Sequence, residues 1–286
     1  MRGSPEIKTY GTEYNKGKQG ITIVGNMKVG KTSLFSRICG KATASIKIPG
    51  NTVSINAGRI KGTNMYAFDT PGVFSIFSSN EDARASRDIL LPHKTDYDIH
   101  GIILMADAKH MKRSIAIALQ YAEYGLPMLL NINMIDEATS RGIEIDYDKL
   151  TEILGIDVCT TIAREGIGVQ KVIANLADMR TVKNLTKYPD WIEQFLEIVS
   201  KLLKTDDISP RAIGLLLLTG DSGLRNGSKV NSARGCWSNS RTCPQNTAKR
   251  SRRRAEFFLQ TCTIKKPNRL LMRFKRQNRP PKVLSL

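Results

Sequence analysis

The strongest constraint on this chain is one octapeptide, Gly25-Asn26-Met27-Lys28-Val29-Gly30-Lys31-Thr32, which fits G-x4-G-K-[ST] in full. It follows the short apolar run Ile21–Val24 and opens a helix-length segment, Lys31 to Cys39. Glycines at those places let consecutive backbone N–H groups curl around an anion, and the helix that follows points the positive end of its dipole at it. In that arrangement Lys31 reaches the β and γ oxygens of a polyphosphate and the Thr32 hydroxyl ligates Mg²⁺. The expected phosphate-contacting set is Gly25, Asn26, Met27, Lys28, Val29, Gly30, Lys31, Thr32 and Ser33. Such a turn works only between a strand and a helix, which commits this part of the chain to an α/β fold.

The rest of the sequence agrees. Thr52–Arg59 and Met65–Phe68 read as a strand pair, Gly101–Met105 and Met128–Ile132 as buried strands, and Val158–Thr161 as a last short strand. Ile115, Leu119 and Ala122 lie at helical spacing, and Val169–Leu176 reads as a last helix. Strands alternating with helices imply a parallel sheet with helices on both faces, whose ligands bind at the carboxyl ends of the strands. Beyond this, Trp191, Ile192, Phe195, Ile198, Val199 and Leu202 trace one face of an amphipathic helix, and a second helix starts at Arg211. The expected organisation is a polar N-terminal segment (1–19), an α/β domain (20–180), a small, incomplete helical extension (187–224) and a basic tail (225–286).

The net positive charge is concentrated in the tail. From Asn226 onward there are 16 basic residues against the single acid Glu256, which supplies +15 of the chain's +18. The high pI therefore says little about a partner for the nearly neutral body, and nucleic acid is not expected as one. The tail reads either as a disordered basic arm or as the product of a shifted or truncated frame; the second reading is favoured. Five cysteines form no Cys-x-x-Cys pair and three histidines are scattered, so free thiols and no site for iron are expected. No secretory leader is read in residues 1–19. The longest strongly apolar run, Ile213–Leu218, is too short to cross about 30 Å of hydrocarbon. A cytoplasmic chain without a pore is expected.

Three further motifs fall at strand ends. Asp69-Thr70-Pro71-Gly72 follows Met65–Phe68; there Asp69 can hold a Mg²⁺-bound water and the Gly72 N–H can sense a γ-phosphate. Thr52, within Pro49-Gly50-Asn51-Thr52, lies between this motif and the phosphate turn, and is the natural switch threonine for Mg²⁺. The expected metal ligands are thus Thr32, Thr52 and Asp69, and the expected catalytic groups are Lys31, Thr52 and Gly72. Asn133-Met134-Ile135-Asp136 directly follows a buried run. A carboxylate there accepts from both N1–H and the 2-amino group of guanine and repels adenine, which lacks the second donor. Ile162, Ala163 and Arg164 complete that pocket, with the Ala163 N–H facing guanine O6. Together these predict a Ras-like P-loop GTPase sheet that binds GTP or GDP.

The order GNMKVGKT, PGNTVS, DTPG, NMID is that of translation-factor-class GTPases. The stretches DTPGVFSIFSSNEDARASRDILL, ILMADAKHMKRSIAIALQYAEYGLPMLLNINMIDEATSRGIEIDYDKLTEILG and REGIGV resemble the G domain of the ferrous iron transport protein B (FeoB) family. The resemblance runs from Ile21 to Asp178 and continues more weakly to Leu224. It implies slow GTP hydrolysis and nucleotide-dependent control of ferrous iron uptake at the cytoplasmic face of the inner membrane. It also implies a membrane transport domain or small iron-uptake proteins as partners. Many members carry an Asn, a ligand for an activating K⁺, where this chain has Lys28, so weakened or absent K⁺ activation is expected. Ile162 stands where the family has Ser. Val73 occupies the place where many GTPases put a water-orienting Gln, as in the family, so catalysis would rely on Mg²⁺, Lys31 and backbone groups. The sequence also admits two alternatives: a nucleotide-binding module with negligible turnover, and an RNA-associated GTPase that uses its basic tail.

Overall fold

The computed structural model describes residues 18–40, 42–203 and 208–219. Seven strands form one sheet: β1 (Lys18–Gly25), β2 (Ala44–Lys47), β3 (Ser54–Arg59), β4 (Tyr66–Asp69), β5 (Tyr97–Asp107), β6 (Met128–Asn133) and β7 (Val158–Thr161), in the order β2-β3-β4-β1-β5-β6-β7. The β4–β1–β5–β6–β7 pairings are parallel, and β2–β3 and β3–β4 are antiparallel. The sheet is therefore mixed, where strand–helix alternation alone predicts a parallel one. The antiparallel edge arises because no helix separates β2, β3 and β4, so each can return through a short turn.

The helices are α1 (Lys31–Cys39), α2 (Glu81–Asp88), α3 (Met111–Ala122), α4 (Ile135–Ser140), α5 (Tyr147–Leu154), α6 (Val169–Ala174), α7 (Asp190–Leu202) and α8 (Pro210–Thr219). Alternation along the central strands makes two cores. Ile21 and Ile23 of β1, with Ile103 and Met105 of β5, pack with Leu34, Phe35 and Ile38 of α1 and with Val169 and Val172 of α6. Val24, Ile102, Leu104 and Ala106 point the other way and join Ile115 and Ala118 of α3 and Leu150 and Leu154 of α5. Helices thus cover both faces, and the buried central strands place their carboxyl ends at one rim.

The extension docks on the α3 side. Ile192, Phe195, Leu196 and Val199 of α7 and Leu215 and Leu216 of α8 belong to the same core as α3. Trp191, Ile198 and Leu202, placed by helical spacing on the apolar face, are instead exposed; the buried stripe is centred one position away, on Leu196. Arg211 at the start of α8 joins the layers, donating to Glu123 at 2.9 Å and to Glu193 of α7 at 2.7 Å. The expectations for residues 1–17 and for the tail beyond 219 lie outside the described residues.

Candidate functional site

The turn between β1 and α1 sits at the rim. Gly30 has φ 92° and is pressed so closely against β6 that a Cβ would lie 2.3 Å from Asn133 Nδ2, so only glycine fits. Lys28 adopts a left-handed conformation, φ 60°, with its side chain exposed. Lys31 is 7% exposed, and its Nζ donates to the Asn26 carbonyl at 2.7 Å and the Gly25 carbonyl at 3.3 Å. Burial lowers its pKa from the ordinary 10.5 to about 8, against the opposing pull of Asp69. Among the described residues, both side-chain polar atoms of buried Asn26 lack a partner. Met27, Thr32 and Ser33 are exposed and Val29 is buried.

Asp69 ends β4 directly beside this turn. The Thr32 hydroxyl donates to Asp69 Oδ2 at 2.7 Å, while Oδ1 is buried with no partner among the described residues. Burial raises the Asp69 pKa, opposed by the Thr32 hydrogen bond and by Lys31. Thr70 is tied to β1 through the Ile23 carbonyl at 2.8 Å. After half-buried Pro71, Gly72 packs on the turn itself: a Cβ there would lie 2.6 Å from Met27 Cα and 2.9 Å from Lys31 Nζ. Val73 turns its side chain into the core and donates its N–H to the Gly25 carbonyl at 3.2 Å.

The structure does not gather Thr52 with Thr32 and Asp69. Its hydroxyl donates to Glu81 at the start of α2, and neighbouring Asn51 donates to Asp88 at the helix end, 3.2 Å away. Pro49, Gly50 and Thr52 are exposed in the link between β2 and β3, where no strand register fixes them. Sequence reading also passed over the groups that hold the segment after Gly72. Gln120, buried in α3, accepts from the Ser75 hydroxyl at 3.1 Å and the Ile76 N–H at 3.0 Å. Buried Arg87 donates to the carbonyls of Ile76 and Ser78, and Ser86 to that of Pro71. A Gln inside an otherwise apolar helical face was the available signal.

At the end of β6, Asn133 is 3% exposed and joins three loops. Its Nδ2 donates to the Val29 carbonyl at 3.0 Å, and its Oδ1 accepts from Ala163 N–H at 2.9 Å and Thr161 Oγ at 3.1 Å. Met134, half-buried like Ile135, takes a left-handed conformation, φ 61°. This turn places Asp136 in the first turn of α4 with Oδ1 buried and unpartnered among the described residues. The Ala163 N–H, expected to face a base carbonyl, is instead spent on Asn133; a base carbonyl would have to share it. Ile162 is half-buried and Arg164 exposed.

A family model described as ferrous iron transport protein B matches residues 19–176, more than half of the chain. The chain belongs to the ferrous iron transport protein B family. Its fold is the P-loop GTPase fold of that family's G domains. The Fe(2+) transporter FeoB of Staphylococcus aureus strain N315 is 31% identical over 187 residues, covering 64% of this chain and 28% of that protein. The Legionella pneumophila strain Lens transporter is 33% identical over 149 residues, or 51% of this chain and 20% of that one. The chain therefore spans less than a third of the length of the curated FeoB relatives it matches. Among solved structures, the cytosolic domain of T. maritima FeoB in apo form superposes with a TM-score of 0.68 at 25% identity, covering 85% of this chain and 95% of that one. Its GMPPNP form gives 0.65 at 26%, covering 85% and 96%. A mutant S. thermophilus FeoB domain bound to GDP gives 0.64 at 25%, covering 86% and 98%. No helix among the described residues is long and apolar enough to cross a membrane.

Proposed function

We propose that this chain is the GTP-binding and slowly GTP-hydrolysing domain of a FeoB-type ferrous iron uptake system, working at the cytoplasmic face of the inner membrane. The observation that carries the reading is Asp136. A buried carboxylate oxygen without a partner costs about 1–3 kcal/mol. Guanine, with an N1–H and a 2-amino group side by side, supplies the donors it lacks. GDP and GMPPNP complexes of the structural neighbours support the same reading.

Residues at the other end of the site fit Mg²⁺. Asp69 Oδ1 is buried and unpartnered among the described residues, and a carboxylate beside the Thr32 hydroxyl is the hard-oxygen set that this ion takes. Asp69 and Thr32 would hold it, with Thr52 joining after release from Glu81. When bound, the ion supplies neutralising charge at the β and γ oxygens. Lys31 gives up its bonds to the Gly25 and Asn26 carbonyls and takes phosphate oxygens in their place. The phosphate charge favours its ammonium form and offsets the burial that lowers its pKa. Gly72, packed against the turn and Lys31, brings its N–H to the outer phosphate.

Turnover is slow on this reading because the place after Gly72 holds Val73, whose side chain is buried in the core and cannot orient water. The same observation favours a second reading, a nucleotide-sensing module with negligible hydrolysis. Purified chain with Mg²⁺ separates them: slow phosphate release from GTP, lost in Lys31→Ala, supports the enzyme, and binding without release supports the module. Lys28 leaves K⁺ activation weak; equal enhancement by K⁺ over Na⁺ in the unsubstituted chain and in Lys28→Asn would count against this. The membrane transport domain and small iron-uptake proteins are the proposed partners.

A further inference from the structure

The loop after β7 borders the base pocket and meets the end of α1 at its outer part. Its base is anchored: Thr161 and Ala163 both donate to Asn133. It folds back on itself through Ile162 N–H to the Ile167 carbonyl at 3.1 Å and Gly166 N–H to the Ile162 carbonyl at 3.0 Å. Its outer part projects outward, with Arg164 and Glu165 exposed and Ile167 52% exposed.

Among the described residues, one side chain from another element hydrogen-bonds to this outer part. Arg37, in the last turn of α1, donates from its guanidinium to the Arg164 carbonyl, 127 residues further along the chain. The same guanidinium lies over Gly166, where a Cβ would sit 3.5 Å from Arg37 Nη1, in ordinary contact. The Arg37 carbonyl in turn accepts from Lys61 at 3.1 Å. The helix that carries Arg37 begins at Lys31 and Thr32, in the phosphate turn, so one rigid helix touches both ends of the site. Leu34, Phe35 and Ile38 fix it in the core shared with Val169 and Val172 of α6, which follows the loop.

We propose that Arg37 is a positioning residue for guanine recognition, holding the outer part of the loop 162–167 against the end of α1 so that the loop keeps its place beside the base pocket. The inference rests on the nucleotide reading above and adds a residue to it. Arg37 touches no reacting atom; it acts through the Arg164 carbonyl and Gly166. A guanidinium fits the task because its several N–H donors are held in a rigid, planar fork, so one can reach a carbonyl while the group stays in contact with the neighbouring glycine.

The test is release of a fluorescent GDP analogue from the purified chain, by stopped flow, beside competition by inorganic tripolyphosphate, which has no base. Loss of one side-chain bond predicts about three- to tenfold faster GDP release in Arg37→Ala. Arg37→Lys, which keeps a donor, is expected to restore part of the difference. Tripolyphosphate affinity should stay unchanged in both, because the phosphate turn is untouched. Unchanged GDP release overturns the inference. Equal weakening of GDP and tripolyphosphate also overturns it, since that marks general loosening of α1. If the unsubstituted chain fails to bind GDP, the nucleotide reading itself falls, an outcome distinct from normal GDP binding with an unaltered Arg37→Ala.

Discussion

Asn133→Ala is expected to loosen the whole site and the fold with it. Asn133 is 3% exposed, and three hydrogen bonds converge on its amide: Nδ2 to Val29 O at 3.0 Å, and Oδ1 from Ala163 N at 2.9 Å and Thr161 Oγ at 3.1 Å. Truncation leaves a buried carbonyl and a buried N–H without partners, each costing about 1–3 kcal/mol. Thr161 suffers less, because it also accepts from Asn131 at 2.9 Å. Water entering the vacated space offsets part of the loss, so the net expectation is about 3 kcal/mol. For a domain of this size that lowers Tm by roughly 6–12 °C. The assay is thermal unfolding in the absence of nucleotide, beside titration with GDP. Both stability and affinity should fall. A Tm within about 2 °C of the unsubstituted chain, with affinity lost, would make Asn133 a ligand contact rather than a brace between loops.

Lys31 gives a pH signature. Its folded pKa of about 8 lies below the ordinary 10.5, so its buried ammonium destabilises the fold at and below about pH 8, and this cost is relieved as pH rises towards 10.5. Urea unfolding at about pH 7.5 and pH 10 should show the unsubstituted chain gaining roughly 2 kcal/mol relative to Lys31→Met, and a pH-independent difference would contradict the shift. Arg211→Met removes the partner of Glu123, whose side chain has no exposed area. A loss of about 3–5 kcal/mol is expected in denaturant unfolding, partly recovered when Glu123→Gln is added; a loss below about 1 kcal/mol would show that the pair does not hold α8 in place.

Where local chemistry decides the structure, the sequence was legible. The octapeptide placed the phosphate turn between β1 and α1, and α1 runs over the expected Lys31–Cys39. The apolar runs of β1, β5 and β6 were visible because these strands are buried on both faces along those runs. β2 was not, because its four residues Ala44–Lys47 alternate between half-buried and exposed and give no apolar run. Nor was the small helix α2, whose buried residues include Ala83, Ala85, Ser86, Arg87 and Asp88. Its polar groups are satisfied by contacts remote in sequence, which no periodicity reports. The same holds at the site. Residue types marked Lys31, Asp69 and Asp136 in advance, but the roles of Asn133 as a three-way brace and of Glu81 as the partner of Thr52 depend on how strands and loops meet. Arg211, read only as the start of a helix, ties three helices together for the same reason.

Whether Asp136 reads guanine is decided by nucleotide choice. Binding of GDP, xanthosine diphosphate and ADP should be measured by calorimetry for the unsubstituted chain and for Asp136→Asn. GDP should bind well ahead of the other two, with a fall in GDP affinity of about 100-fold or more in Asp136→Asn and a gain for xanthosine diphosphate, whose 2-oxo group accepts where guanine donates. Equal binding of GDP and ADP by the unsubstituted chain, or a preference unaltered by Asp136→Asn, would contradict guanine reading by Asp136.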